Sequence, residues 1–316
     1  MDTTKMIIQP KVIIHGGAGS SLHGKGSLDL VRQSLVQILH HIYDQLQVGV
    51  SAQEAVVLGC QLLEDDPRFN AGTGSVLQSD GQIRMSAALM DGAMQRFSGV
   101  INVTRIQHPI NLAHYLQNSP DRILSDYGAS ELSRDLQLPV FNPLTEQRLT
   151  EWLQDRKDNF ARSMANVVAE PMEQGRGTIG VVALDTQGKI AAGTSTGGKG
   201  FERIGRVSDS ATPAGNYANG NAGVSCTGIG EDIIDECLAA KIVIRVTDGL
   251  SLVEAMEKSM AEAHQRGRDL GAIALDATGT IVWGKTSEML LAAYHTGSTI
   301  GDTLDNREQS VGKVTG

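Results

Sequence analysis

Between Gly177 and Thr178 the chain changes character, and that junction limits the folds open to it more than any other feature. Residues 145–176 are charge-rich with widely spaced apolar side chains, the pattern of a flexible connector that buries little. Thr178 then opens the run Thr178-Ile179-Gly180-Val181-Val182-Ala183-Leu184-Asp185, short and apolar as a buried strand is. The segments on either side share an order of elements. Before the connector, Lys11-Val12-Ile13-Ile14-His15 reads as a strand ending in glycines. Ser27 caps a helix whose stripe is Val31, Leu35, Ile38, Ile42 and Leu46, closed by Gly49. Ser51-Ala52-Gln53-Glu54 is a capping box for a second helix that must end near Pro67. Strands are expected over 82–89 and 99–104, around a turn at Asp91-Gly92, with short helices over 113–116 and 129–136. After the junction come hairpins turning at Asp185-Thr186-Gln187-Gly188 and Asp276-Ala277-Thr278-Gly279. Between them lie helices over 231–246 and 251–266, the latter opened by a second capping box, Ser251-Leu252-Val253-Glu254. Strand, two helices and strands on each side favour sheets held between helical layers over a doubly wound parallel sheet. The 316 residues suit one large α/β domain with ample core.

Charge and composition exclude several classes of function. A net charge of −9 leaves no footprint for nucleic acid or an anionic membrane. Three cysteines (Cys60, Cys226 and Cys237) show no zinc spacing, and their odd number argues against a disulfide framework. The first ten residues lack the apolar core of a secretory signal, and no stretch approaches a membrane span. A reducing, cytoplasmic setting is expected. Gly72-Thr73-Gly74 and Gly228-Ile229-Gly230 each lack the third glycine of a dinucleotide fingerprint, and Glu231 stands where a phosphate would approach. No HExxH or His/Cys cluster appears, so metal catalysis is not indicated. The 36 glycines flank apolar strands, which suits a site built from closely packed main chain.

A threonine at the start of a strand, directly after glycine, can initiate a strand and nothing more. It is also where a self-cleaving hydrolase places its nucleophile. Cleavage of the 177–178 bond would give Thr178 a free α-amine, with a pKa near ~8, beside its own hydroxyl. Four blocks besides the junction decide between these readings. They are His15-Gly16-Gly17-Ala18-Gly19, Phe69-Asn70-Ala71-Gly72-Thr73-Gly74, Thr194-Ser195-Thr196-Gly197-Gly198 with Gly205-Arg206-Val207-Ser208-Asp209-Ser210, and Ser225-Cys226-Thr227-Gly228-Ile229-Gly230-Glu231. In this order, from about Lys11 to Tyr294, the chain resembles the plant-type (type III) asparaginases, or isoaspartyl peptidases, among the N-terminal-nucleophile hydrolases.

The resemblance implies an αββα sandwich in one domain, cut into 1–177 and 178–316, with 145–177 as a flexible connector. It makes Thr178 the nucleophile, Thr196 a second catalytic threonine, and Thr227 with Gly228 the oxyanion hole. Arg206 would take a substrate α-carboxylate, and Asp209 with the Gly230 carbonyl the α-ammonium; Asn70 would sit beside the nucleophile. Taken alone, Thr196 would be a turn hydroxyl, and Arg206 with Asp209 a solvated pair. Gly177 and Thr178 form the cleavage site, and Gly16 matches a flexible glycine that assists it. Main-chain carbonyls of Leu63, Glu64, Asp66, Phe69, Ala71 and Thr73 would hold a structural sodium, with no cofactor needed for catalysis. The implied substrates are β-aspartyl dipeptides and L-asparagine, and the implied assembly is a dimer of αβ units. Two other readings stay open: an aspartylglucosaminidase-like enzyme, and a non-enzymatic small-molecule binder using its Gly-rich loops.

Overall fold

The computed structural model describes residues 8–19, 25–163 and 177–315, excluding the side chains of 158–163. In chain order the elements are β1 (Lys11–Gly19), α1 (Leu28–Gln47), α2 (Ala52–Asp65), β2 (Met85–Asp91), β3 (Arg96–Val103), α3 (Pro109–Leu116), β4 (Ile123–Ser125), α4 (Asp126–Asp135) and α5 (Glu146–Ser163). Past the junction come β5 (Ile179–Leu184), β6 (Ile190–Thr196), a 3-10 turn at Asp209–Ala211, β7 (Asn216–Ala218), β8 (Ala222–Gly228), α6 (Gly230–Glu236) and α7 (Leu238–Thr247). The chain closes with α8 (Leu252–Gln265), β9 (Leu270–Asp276), β10 (Ile281–Lys285), β11 (Met289–His295), β12 (Ile300–Asp302) and β13 (Val311–Val314).

Among the described residues these strands form two sheets, one ordered β12-β11-β1-β5-β6-β2-β3-β4 and the other β13-β10-β9-β8-β7. Three apolar clusters show how they stack. One joins α1, α2 and α3 to the outer face of the first sheet through Leu35, Ile42, Val56, Val181 and Ala87. A second joins α7 and α8 to the outer face of the other sheet through Ile242, Met256, Val224 and Ala272. The third lies between the sheets, where Ile13, Val182 and Leu290 meet Ile273, Leu275 and Trp283. Helix, sheet, sheet, helix is the expected sandwich. Alternation along β5 makes it: Val181 and Ala183 face the helices, Val182 and Leu184 the other sheet.

The local signals act as read, and packing outweighs them. Ser27 accepts from the Leu30 N–H at 3.3 Å, a cap that contributes about 1 kcal/mol. The fully buried Val31, Leu35, Ile42 and Leu46 contribute roughly 1.5–3 kcal/mol each, so burial decides where α1 sits. Both capping boxes form, at Ser51/Glu54 and Ser251/Glu254. The two Asp-x-x-Gly turns share one solution. Asp185 Oδ1 accepts from the N–H groups of Gln187 and Lys189, each at 2.9 Å, and Asp276 Oδ1 from those of Thr278 and Thr280, also 2.9 Å.

Two expectations are corrected. Residues 146–163 are not a connector but the helix α5, and 164–176 lie outside the described residues. Trp152 anchors α5: it is 8% exposed, donates to the Gln78 carbonyl at 3.0 Å and stacks on Phe201. Arg148 adds a buried bond of 2.7 Å to the Gly74 carbonyl. The helix expected over 231–246 is two helices, because Cys237 adopts a left-handed φ of 46° between them.

Candidate active site

The hairpin β5–β6 sets Thr178 opposite Thr196. Ile179 pairs with Ser195, so the next position back faces the last residue of β6. The Thr178 hydroxyl donates to Thr196 Oγ1 at 3.2 Å, and both residues are buried. Thr196 Oγ1 also accepts from the Gly198 N–H at 3.1 Å, which fixes the turn beyond it.

Gly177 is held by main chain. A Cβ on Gly177 would overlap the Cα of Gly17, and one on Gly17, at φ +120°, would overlap Gly177 in turn. Only paired glycines allow this approach. Gly16 is confined as well: a Cβ there would enter the Phe69 ring, and its carbonyl accepts from Lys25 Nζ at 2.8 Å. Lys25 is buried, and desolvation, helped by Arg148, lowers its pKa to about 7.

Behind Thr178 a polar chain crosses between the sheets. His15 Nε2 meets Ser225 Oγ at 3.0 Å, and Ser225 Oγ meets Thr194 Oγ1 at 2.7 Å. Desolvation lowers the His15 pKa to about 3, so its imidazole is neutral at pH 7. A side chain on Gly180 would collide with both His15 and Ser225, so glycine there keeps the chain intact. Side chains two apart on a strand share a face. Thr227 therefore lies beside Ser225 on β8 as Thr196 lies beside Thr194 on β6. Thr227 Oγ1 is buried with no partner among the described residues. Gly228, next to it, has φ +126° and packs against Leu270, where a Cβ would be 2.6 Å from its Cα.

Arg206, Asp209 and Gly230 converge at the start of α6. A Cβ on Gly230 would stand 2.5 Å from Arg206 Nη2 and 2.7 Å from Asp209 Oδ1. Asp209 is 3% exposed; Oδ1 accepts from Ser208 Oγ at 3.1 Å, while Oδ2 has no partner among the described residues. Desolvation raises its pKa to about 6, partly opposed by Arg206. Buried polar atoms are almost always paired, so the Thr227 hydroxyl and Asp209 Oδ2 each keep the capacity for a further hydrogen bond.

Glu231 is the residue that sequence reasoning missed as part of the site. Its carboxylate receives Arg206 Nε at 2.9 Å and Nη2 at 3.1 Å, a two-point pair that fixes the guanidinium. Burial pushes Glu231 up, but Arg206 and Lys199 outweigh it and hold its carboxyl at about 2. Its place directly after Gly230 was the available signal. Asn70 lies at the end of β6: its Nδ2 donates to the Gly198 carbonyl at 2.6 Å, and its Oδ1 accepts from the Val76 N–H at 3.0 Å. The segment 63–73 folds back on the C-terminus of α2, where the Thr73 N–H donates to the Glu64 carbonyl at 2.7 Å. Among the described residues no group of three His, Cys, Asp or Glu side chains could hold a metal ion.

Residues 8–305 match the asparaginase family. The chain belongs to that family. It is 70% identical over 306 residues to an isoaspartyl peptidase/L-asparaginase of a Nostoc species, covering 95% of this chain and 96% of that protein. An isoaspartyl peptidase/L-asparaginase of a Synechocystis species is 65% identical, over 94% of this chain and 91% of its own length. A plant-type L-asparaginase of Pyrococcus horikoshii is 35% identical, over 90% and 95%. The family accounts for the block order, and the sandwich is the frame on which the blocks meet.

Proposed function

We propose that this asparaginase-family chain is a self-processing threonine amidohydrolase acting on β-aspartyl dipeptides and L-asparagine. The observation that carries the reading is the Thr178 hydroxyl, directly after a glycine held by main chain, bonded to Thr196 at 3.2 Å. In maturation Thr178 Oγ attacks the Gly177 carbonyl, an N→O shift gives an ester, and water releases a Gly177 carboxylate and the Thr178 α-amine. In turnover that amine takes the Oγ proton while Oγ attacks the substrate's β-carbonyl. The tetrahedral oxygen accepts from Thr227 Oγ1 and the Gly228 N–H. The proton passes to the leaving nitrogen, and water then hydrolyses the β-aspartyl ester of Thr178, freeing aspartate. Arg206, oriented by Glu231, receives the substrate α-carboxylate; Asp209 Oδ2 and the Gly230 carbonyl receive the α-ammonium. Asn70 holds the turn after Thr196 against the segment 70–76.

A structural sodium belongs to the same reading. The carbonyls of Leu63, Glu64, Asp66, Phe69, Ala71 and Thr73 are neutral hard oxygens. Leu63 and Glu64 lie in the last turn of α2, which presents the negative end of its dipole there and so suits a monovalent cation. An assembly of two αβ units is supported by the exposed apolar side chains Tyr115, Ile123, Tyr127 and Val140. Cys60, Cys226 and Cys237 are all free thiols, which supports a reducing, cytoplasmic compartment. Among the described residues no helix is long and apolar enough to cross a membrane.

The test is substrate scope. β-Asp-Leu and L-asparagine are expected to turn over, whereas N-acetylated β-Asp-Leu and α-linked Asp-Leu are not. Comparable turnover of the blocked substrates would refute the assignment of Arg206 and Asp209. Preference for N-acetylglucosaminyl-asparagine would move the chain to the glycosylasparaginase reading.

Acidity gives an independent check. Asp209 must be ionised to pair with an ammonium, and its pKa stands at about 6. Below that value Asp209 is expected to add a fall of about tenfold per pH unit in kcat/KM to the fall that protonation of the Thr178 α-amine already causes. Stability moves the other way: a carboxylate raised from 3.8 by burial binds its proton more tightly when folded. The fold therefore loses stability as pH rises from about 4 to 6 and regains it on acidification through that window. Asp209→Asn should accordingly raise Tm at pH 7 while abolishing binding. A kcat/KM that stays level between pH 7 and 5 would remove Asp209 from the site.

A further inference from the structure

We propose that Asn102 is a positioning residue for substrate recognition, holding the main chain of Arg206 so that its guanidinium meets the substrate α-carboxylate. The inference rests on Arg206 being the carboxylate site, as proposed above. At one end of neighbouring strands in the large sheet, Thr178 directly precedes β5 while Thr196 and Ser86 stand on β6 and β2, with Ser86 paired to Thr196. The next strand, β3, bulges where it passes Ser86: the register shifts between Met85↔Val103 and Ala87↔Val100. Asn102 occupies the bulge, takes a left-handed φ of 57°, and donates its N–H to Ser86 Oγ at 3.1 Å.

Glycine is the residue such a bulge ordinarily takes, because φ is positive there, and asparagine is one of the few tolerated replacements. Here its side chain is 7% exposed, and Nδ2 donates to the Arg206 carbonyl at 3.0 Å. Arg206 needs that tether. It follows Gly205, at φ +86° with open space around its Cα, and its own N–H is used in a local turn with the Arg203 carbonyl. Two partners on distinct elements then locate the residue: Asn102 on β3 takes its backbone, and Glu231 on α6 takes its head group. The bulge also couples the substrate clamp to the catalytic strands, since Asn102 and Thr196 flank the same Ser86.

The test uses the processed enzyme, with cleavage of each variant checked on a denaturing gel and rates normalised to the 178–316 fragment. Asn102→Gly keeps a backbone suited to positive φ but removes the amide. Asn102→Asp keeps the shape but presents a second acceptor to the Arg206 carbonyl. For both, KM for β-Asp-Leu should rise about 3- to 10-fold with kcat within about twofold, as loss of one neutral hydrogen bond predicts. In an Arg206→Ala background, itself strongly raised in KM, the same substitutions should add nothing, because Asn102 acts only through Arg206. Unchanged KM in Asn102→Gly and Asn102→Asp, or a penalty that persists in full without Arg206, overturns the proposal. An Arg206→Ala variant with normal KM would overturn the carboxylate site itself, and the role of Asn102 with it. A KM near normal in Asn102→Gly but raised in Asn102→Asp would show that repulsion, and not a lost tether, is at work, and would also overturn it.

Discussion

Thr178→Ala is expected to run as a single full-length band on a denaturing gel and to lose turnover of β-Asp-Leu by about 10⁴-fold or more. Both effects come from one oxygen. In the proposed mechanism the hydroxyl that attacks the Gly177 carbonyl in maturation also attacks substrate afterwards, so one substitution would remove both steps. The fold should survive it. Thr178 is 7% exposed at the first position before β5, and among the described residues its side chain makes one bond, to Thr196. Losing it costs about 1–2 kcal/mol, small against the burial that holds Ile179, Val181 and Val182. Circular dichroism and Tm near the parent's would separate chemical loss from unfolding. Cleavage of the alanine variant at the same bond, by intact-mass measurement, would eliminate Thr178 as the attacking group. Thr178→Ser restores a hydroxyl and is expected to recover cleavage, more slowly, because serine lacks the methyl that restricts χ1.

How legible this was in the sequence depended on the range of each interaction. The caps at Ser27, Ser51 and Ser251 and the turns at Asp185 and Asp276 are satisfied within five residues, so the chain alone announces them. The pairing of Thr178 with Thr196 was nearly as accessible, because the Asp185–Gly188 turn sets the hairpin register. Helix α5 was hidden because it is held by two anchors, Trp152 and Arg148, whose partners Gln78 and Gly74 lie 74 residues earlier. Charge around those anchors made the segment read as connector. The break at Cys237 had no local signal, since neither glycine nor proline marks it. Thr227 stands on the other sheet from Thr178, and only the block resemblance linked them. Asn102 lay outside every block: a bulge and a left-handed φ are products of strand pairing, and a sequence does not print them.

Thr227→Val is the second large effect, and it separates function from stability. The Thr227 hydroxyl is fully buried and has no partner among the described residues. An unpaired buried polar group costs roughly 1–3 kcal/mol, and valine fills nearly the same volume without it. If the hydroxyl served the fold, its removal would destabilise the protein. If it is kept for an oxyanion that forms only during reaction, the variant should be as stable or more so, with Tm level or up by about 2–4 °C. Catalysis should respond in the opposite sense. Loss of one oxyanion donor lowers kcat about 10²- to 10³-fold, and KM should stay near the parent value because the ground-state carbonyl does not need that bond. The Gly228 N–H remains, so the loss should fall short of that for Thr178→Ala. Thr227→Ser should recover most of the rate. A lowered Tm with kcat intact would assign the hydroxyl to the structure and leave the oxyanion hole without its side-chain donor.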